Sequence, residues 1–546
     1  MQGLMMEIPL LITSIMRHCE RNHAKREVVS VTADHLRHRY TYGDCFERTR
    51  RLANALDRIG ASEDARIATL AWNDFRHLEL YYGAACSGRI YHTVNPRLFA
   101  EQLVYIINHA EDEWMFTDPA FVPLLEGIAS QCPGVKGYIV LTDEAHMPDT
   151  ALPKAMCYEQ LLAAELDVYE WPALDENRAS GLCYTSGTTG NPKGALYSHR
   201  STVLHTYGQA MPDVLNVSAM DCVMPIVPMF HVNAWGLPFS CPMIGAKMVM
   251  PGPKLGEPEA LVDLINEEGV TMAGGVPTVW LPVLKYLKES GRNLKPLDRT
   301  AIGGSACPVS MMQEFRDRHD VTVLHAWGMT EMSPLGSLNM PKQANANYSR
   351  EERDELFQSA GRPVAGVEMK ITDDDGNELP WDGEAFGALK VRGPWVIRDY
   401  YKLDQPSDAH GADGWFNTGD VATIDEEGYI RITDRTKDVI KSGGEWISSI
   451  DLENVAAGHP GVAEAAVIGA HHPKWQERPL LVVVKADDAE PTRDELLQWF
   501  EGKVAKWWIP NDVVFVDELP HTATGKISKL TLRETFANYA FPDTAA

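Results

Sequence analysis

A run of short apolar segments between Arg66 and Leu141 limits the architecture more than any other feature of the chain. Arg66 to Leu70, Arg89 to Thr93, Trp114 to Thr117 and Gly137 to Leu141 read as buried strands, and Leu78 to Ala85 and Glu101 to Ala110 between them read as helices. Strands alternating with helices predict an α/β fold, a mostly parallel sheet covered on both faces. Before this run, Leu10 to Ile59 reads as helical, with Phe46, Leu52, Leu56 and Ile59 recurring near the 3.6-residue period. The chain has 546 residues, more than one hydrophobic core supports, which predicts roughly three or four folding units.

After a further apolar lead, Gly181 to Tyr184, comes Tyr184-Thr-Ser-Gly-Thr-Thr-Gly-Asn-Pro-Lys-Gly194. It packs four hydroxyl side chains, three glycines and one lysine into eleven residues. Glycines let the backbone approach an anion and turn several N–H groups onto it, and the hydroxyls and Lys193 add donors. A Ser/Thr/Gly linker shares this composition, but the strand-like lead and the placing of Lys193 between Pro192 and Gly194 favour a loop that grips a polyphosphate. It is not a Walker A loop, because Pro192 stands where the second glycine would fall counting from Gly187.

Bulk properties narrow the field. A formal net charge of −26 disfavours nucleic acid and anionic membrane surfaces as partners, so any anionic ligand must meet a local cluster of donors. Nine cysteines without a CxxC pair fit a reducing compartment and indicate no zinc site. The apolar region Val223 to Met250 is broken by four prolines and cannot span a bilayer, and the N-terminus lacks the pattern of a secretory signal. A cytoplasmic location is expected.

Further along, Val223 to Phe230 leads into His231-Val232-Asn-Ala-Trp235, where a helix would put His231 and Trp235 on one face. Core packing would explain the pair equally. Met272 to Thr278 and Thr300 to Ala306 each run from an apolar strand into glycines, and bare backbone at a strand's carboxyl end can admit a flat ring or an acyl chain. His325-Ala-Trp327-Gly328-Met-Thr330-Glu331 offers a hydroxyl for phosphate and a hard carboxylate for Mg²⁺. From Gly361 to Ile430 short apolar runs alternate with Asp/Gly turns, which predicts a small β-barrel-like lobe carrying Thr418-Gly-Asp420. Thr433 to Trp446 is dense in charge and glycine, as a connector between lobes would be. Residues 450 to 546 carry patterns for a small α+β domain, with Gly525-Lys526 on a turn near its end.

These motifs, in this order and over nearly the whole chain, resemble the adenylate-forming superfamily. Within it the chain is most similar to acyl-CoA synthetases of the medium- and long-chain type and to ligases of 3-methylthiopropionate. The resemblance implies a large N-terminal domain, 1–436, of two α/β lobes and a β lobe, and a mobile C-terminal domain, 437–546. It implies ATP, Mg²⁺ and coenzyme A, a carboxylic acid as substrate, and a homodimer. In the family's terms, Thr185-Ser186-Gly187-Thr188-Thr189-Gly190 and Lys193 hold the nucleotide's phosphates. Gly304, Ser305, Trp327 and Gly328 flank its adenine, and Asp420 and Arg435 meet its ribose. Trp327 departs from the usual tyrosine, so indole stacking replaces any bond from a phenol. His231, Val232, Trp235, Gly303 and Trp327 line the acyl pocket. Glu331 holds the metal, and Lys526, Thr330, Glu331 and His231 act in catalysis. Gly443, Gly444 and Glu445 meet the pantetheine arm, and Lys437 is the hinge.

The expected reaction turns carboxylic acid, ATP and CoA into acyl-CoA, AMP and pyrophosphate. An adenylation enzyme that loads a carrier protein, a luciferase-like oxygenase and an inactive nucleotide-binding scaffold are the alternatives. The last is disfavoured by the joint presence of Glu331, Asp420, Arg435 and Lys526.

Overall fold

The computed structural model describes residues 1, 3–185, 191–403, 409–411, 413–443, 445–486, 489–521 and 527–542, with 445 and 446 described in their backbone only. Ser186 to Gly190, Gly444, the side chain of Glu445 and Lys526 lie outside the described residues. The chain forms two compact units, Met1–Val367 with Arg392–Ser407, and Glu368–Val391 with Asp408–Ala546.

The first unit holds two sheets. In the seven-stranded one the expected strands appear, in the spatial order Ala155–Cys157, Gly137–Val140, Asp112–Thr117, Arg66–Leu70, Ile90–Thr93, Ala179–Tyr184 and Gly194–Ser198. All neighbours are parallel except the last pair, the antiparallel hairpin that brackets the hydroxyl- and glycine-rich loop. The nine-stranded sheet is parallel through its centre, where Cys222–Pro225, Met272–Gly275, Arg299–Ile302 and Thr322–Gly328 lie side by side. Their carboxyl ends therefore gather at one edge, the place where an open α/β sheet binds ligands. Behind them, Val249, Leu261, Ile265, Trp280 and Phe315 are fully buried or nearly so, each adding roughly 1.5–3 kcal/mol of burial.

The first sixty residues differ from the sequence reading. Two helices, Ile12–Asn22 and Tyr42–Arg58, are separated by strands Glu27–Ser30 and His38–Thr41 at the edge of the nine-stranded sheet. The β-branched Val28 and Val29 find parallel partners in Met248 and Val249, a pairing remote in sequence that outweighs the local helical period. The second helix starts at a capping box between Thr41 and Asp44.

Helix Phe75–Cys86 is buried along its entire length, and its N-cap Asp74 accepts from the His77 amide at 2.9 Å. Its Arg76 is ion-paired to Asp34 and Glu159, both at 2.8 Å. Close by, the Trp72 amide donates to Asp118 at 2.6 Å. Burial, and after it the neighbouring Asp74 carboxyl, pushes the Asp118 carboxyl well above the ordinary carboxylate range. A carboxyl raised in the folded state contributes fully below the unfolded value near pH 4 and loses that contribution as pH rises towards its folded value. Asp118→Asn keeps an acceptor for Trp72 and removes the titration. It should stabilise the protein at pH 7.5, with the gain vanishing near pH 4, as followed by urea unfolding across pH.

The second unit begins with strands Glu368–Thr372, Phe386–Arg392, Phe416–Ile424 and Ile430–Arg435 in one sheet, the β lobe of the sequence reading. Asp434, 1% exposed, accepts from the Ser449 amide at 2.7 Å and its hydroxyl at 2.6 Å, joining this sheet to helix Ser449–Ala457. Next stands a sheet centred on Val462–His472 and Gln476–Lys485. Leu481 and Val483 face one apolar layer and Leu480 and Val482 the other, so this sheet is covered on both sides.

Candidate active site

The base of the hydroxyl- and glycine-rich loop is closed by its own backbone. The Thr185 amide donates to the Lys193 carbonyl at 2.8 Å, and the Lys193 amide to the Thr185 hydroxyl at 3.3 Å. Behind it, Tyr184 is held by His109, whose Nδ1 lies 2.6 Å from the phenol oxygen. Thr185 and Tyr184 share a narrow cleft with Thr93, Asn95, Phe230 and His231, with free space of about 10 Å³, close to that of one water.

The next candidates stand in the turn after strand Thr322–Gly328. Thr330 and Glu331 are 8% and 6% exposed. The Tyr197 hydroxyl donates to the Thr330 carbonyl at 2.6 Å, so the strand leaving the loop also holds this turn. The Glu331 carboxylate accepts from the Tyr400 hydroxyl at 2.6 Å, and the Lys193 ammonium sits 4.9 Å from the centre of the same Tyr400 ring. One aromatic side chain thus brings together the lysine of the loop and the acid of the turn. Sequence reasoning passed over Tyr400. Its only signal was a pair of tyrosines in an otherwise polar loop.

The segment His231 to Trp235 is not a right-handed helix. Val232, Asn233, Ala234, Trp235 and Gly236 all have positive φ, 39°, 58°, 47°, 56° and 82°, a single left-handed turn. The expectation that a helix would put His231 and Trp235 on one face is corrected accordingly. Such backbone costs roughly 1–2 kcal/mol for each residue with a side chain, and the surroundings offset it. Asn233 is gripped by the phenols of Tyr81 and Tyr91 at 3.3 and 3.4 Å, the Ala234 amide donates to Pro228 at 3.2 Å, and Gln209 donates to the Trp235 carbonyl. His231 and Trp235 stay half-buried while Val232 is buried. The Trp235 indole lies against Gly274, where a Cβ would come within 3.6 Å of it.

Gly303 lies so close to Ala326 that a Cβ would stand 2.9 Å from its carbonyl, whereas Gly304 and Ser305 are exposed beyond the strand end. Trp327, half-buried, lays its ring on Gly336, where a Cβ would meet it at 2.5 Å.

In the second unit Asp420 and Arg435 face each other across neighbouring strands and pair at 2.8 Å. Asp420 is 3% exposed. Lys437 is exposed, in a turn where the Asp438 and Val439 amides both donate to the Arg435 carbonyl at 2.8 Å. Trp475 covers Gly443: the Gly443 amide donates to the Trp475 carbonyl at 2.8 Å, and φ there is 62°. All nine cysteines are buried and unpaired. Among the described residues no helix is long and apolar enough to cross a membrane.

Residues 15–401 match the family described as AMP-binding enzyme, and residues 451–526 match the AMP-binding enzyme C-terminal domain. The chain belongs to the AMP-binding enzyme family. Among the relatives of this AMP-binding enzyme, the 3-methylmercaptopropionyl-CoA ligase of Ruegeria lacuscaerulensis is 53% identical over 98% of this chain and 99% of its own. The medium-chain-fatty-acid–CoA ligase of Ectopseudomonas oleovorans is 50% identical over 98% of each chain. The fold is that of the anthranilate CoA ligase AuaEII crystallised with anthranoyl-AMP, with a TM-score of 0.84 at 23% identity over 97% of this chain and 98% of that one.

Proposed function

We propose that this AMP-binding enzyme is an acid–thiol ligase that converts a carboxylic acid, ATP and coenzyme A into acyl-CoA, AMP and pyrophosphate. The observation that carries the reading is the meeting of Lys193 and Glu331 at Tyr400, a carboxylate and the cation that follows a sequence rich in hydroxyls and glycines. The acid is a short- to medium-chain fatty acid, 3-methylthiopropionate among them, in keeping with the names of relatives at 50% and 53% identity. Its apolar body is placed against Trp235, Val232, His231, Trp327 and Gly303.

A carboxylate is a poor electrophile because hydroxide leaves badly. In the first step the acid's oxygen attacks the α-phosphorus of ATP, the bond to pyrophosphate breaks, and acyl-AMP forms. Two anions must approach, so donors that face the developing charge matter most. We assign this work to the loop from Thr185 through Ser186, Gly187, Thr188, Thr189 and Gly190, to Lys193, to the Thr330 hydroxyl and to Lys526. Glu331 fits a Mg²⁺ site: its carboxylate is buried and oriented by one phenol, and Mg²⁺ takes one or two carboxylates alongside phosphate oxygens. When bound, that ion would neutralise phosphate charge. We assign adenine to Trp327, Gly328, Gly304 and Ser305, and the ribose hydroxyls to Asp420, which pairs with Arg435.

In the second step the pantetheine thiolate attacks the acyl carbonyl and AMP leaves. Gly443, Gly444 and Glu445 are proposed to guide the pantetheine arm. One surface cannot offer both this strand pair and Lys526 to the same carbon, so we propose a hinge motion about Lys437 between the steps, with 437–546 as the moving domain. A homodimer and a cytoplasmic location are part of the same proposal.

The test is to supply ATP, Mg²⁺, CoA and single acids from acetate to palmitate, methylthio acids included, and to quantify nucleotides and thioesters. AMP and acyl-CoA in equal amounts are expected, with the best rates for short to medium chains. ADP and inorganic phosphate as products would overturn the reading, and AMP formed only with a carrier protein would replace it with carrier loading.

A further inference from the structure

The segment that carries Tyr400 is fastened at both ends to the two halves of the phosphate site. At its start Trp395 is 4% exposed, with its indole N–H donating to the Leu335 carbonyl at 3.0 Å and its own carbonyl accepting from the Ser333 hydroxyl at 3.2 Å. Two residues on, the Ile397 amide donates to the carbonyl of Glu331 itself at 2.8 Å. At its far end the Tyr401 amide donates to the Gly194 carbonyl at 2.8 Å, which seats it on the base of the glycine-rich loop. Tyr400 is therefore placed by backbone bonds to the acid's turn and to the lysine's loop, and its side chain repeats that bridge, hydroxyl to Glu331 and ring face to Lys193.

Building on the ligase reading, we propose that Tyr400 is a positioning residue for the metal–nucleotide. It orients the Glu331 carboxylate for the cation and holds the Lys193 ammonium on its ring for the phosphate. The chemistry of the contacts fits this task. A carboxylate has about four lone-pair sites, so a carboxylate that accepts from a phenol can also meet a cation. A ring face holds an ammonium by roughly 0.5–1 kcal/mol at an exposed site, weakly enough for a phosphate to draw it away. Lys193 is such an exposed side chain.

The experiment measures ATP binding by calorimetry, in Mg²⁺ and in EDTA, for the full chain and for Tyr400→Phe, Tyr400→Leu, Glu331→Gln and the double variant Tyr400→Phe/Glu331→Gln. Tyr400→Phe should lose about tenfold of the affinity gained on adding Mg²⁺, because a hydrogen bond to a charged group is removed. In EDTA it should bind ATP within about twofold of the parent, since the ring under Lys193 is kept. Tyr400→Leu should weaken metal-free binding as well, by about threefold. The double variant should be no worse than Glu331→Gln, as two groups acting through one contact are not additive. Equal losses with and without Mg²⁺ in Tyr400→Phe, an unchanged Mg²⁺ gain, or additivity with Glu331→Gln would each overturn the proposal while leaving the ligase reading intact. Absence of ATP binding by the parent chain would overturn the ligase reading and the proposal together.

Discussion

Lys526→Ala should slow formation of the acyl-adenylate at least ~100-fold while ATP and CoA still bind. A single donor aimed at charge that develops only in the transition state is worth about 3 kcal/mol, and its removal falls on the chemical step more than on affinity. The match to the family's C-terminal domain runs through residue 526, and the catalytic ammonium is proposed to be that of Lys526. Two assays separate the halves of the reaction. ATP–pyrophosphate exchange should collapse, whereas thioester formation from supplied acyl-AMP should keep most of its rate. Exchange left intact with thioester formation abolished would reverse the assignment of this lysine.

Gly328→Ala should be comparably damaging by a different route. A Cβ at Gly328 would stand 2.0 Å from the Pro334 carbonyl oxygen and 2.9 Å from its carbon, both backbone atoms that cannot rotate away. That carbonyl is the acceptor for the Met329 amide at 3.0 Å, so it closes the turn that presents Thr330 and Glu331. Forcing the two chains apart moves this turn, and displacements of about 1 Å at reacting groups cost on the order of a hundredfold. Pyrophosphate exchange at saturating acid should fall ~100-fold, with a lower unfolding midpoint. A Gly328→Ala enzyme with more than half the parent activity would refute this account of the turn.

The central strands Met272–Gly275 and Arg299–Ile302 were readable because each is an apolar run that ends in glycine or is followed by it, and of these glycines 274, 275 and 303 are buried while 304 is exposed. The acid and lysine of the proposed phosphate site were readable as residue types in a familiar order. Their meeting was not. Tyr400 lies 69 residues from Glu331 in sequence, and a contact of that span leaves no local period. The edge strands Glu27–Ser30 and His38–Thr41 were lost for a related reason: the first pairs with Lys247–Met250 far along the chain and the second with the first, and strands of four residues cannot be told from a pause between helices. The backbone at Val232 to Trp235 was misread because left-handed geometry is announced by glycine, and here glycine arrives only at 236.

That backward-wound segment has a practical consequence for anyone wishing to retarget the proposed ligase to shorter acids. Exchanging Val232, Ala234 or Trp235 for other side chains also disturbs a conformation that few residues tolerate, so a library built there would be dominated by collapsed variants. Gly274, which faces the Trp235 ring from an ordinary extended strand, offers the better dial: enlarging it shortens the space beside the indole without touching the strained peptide.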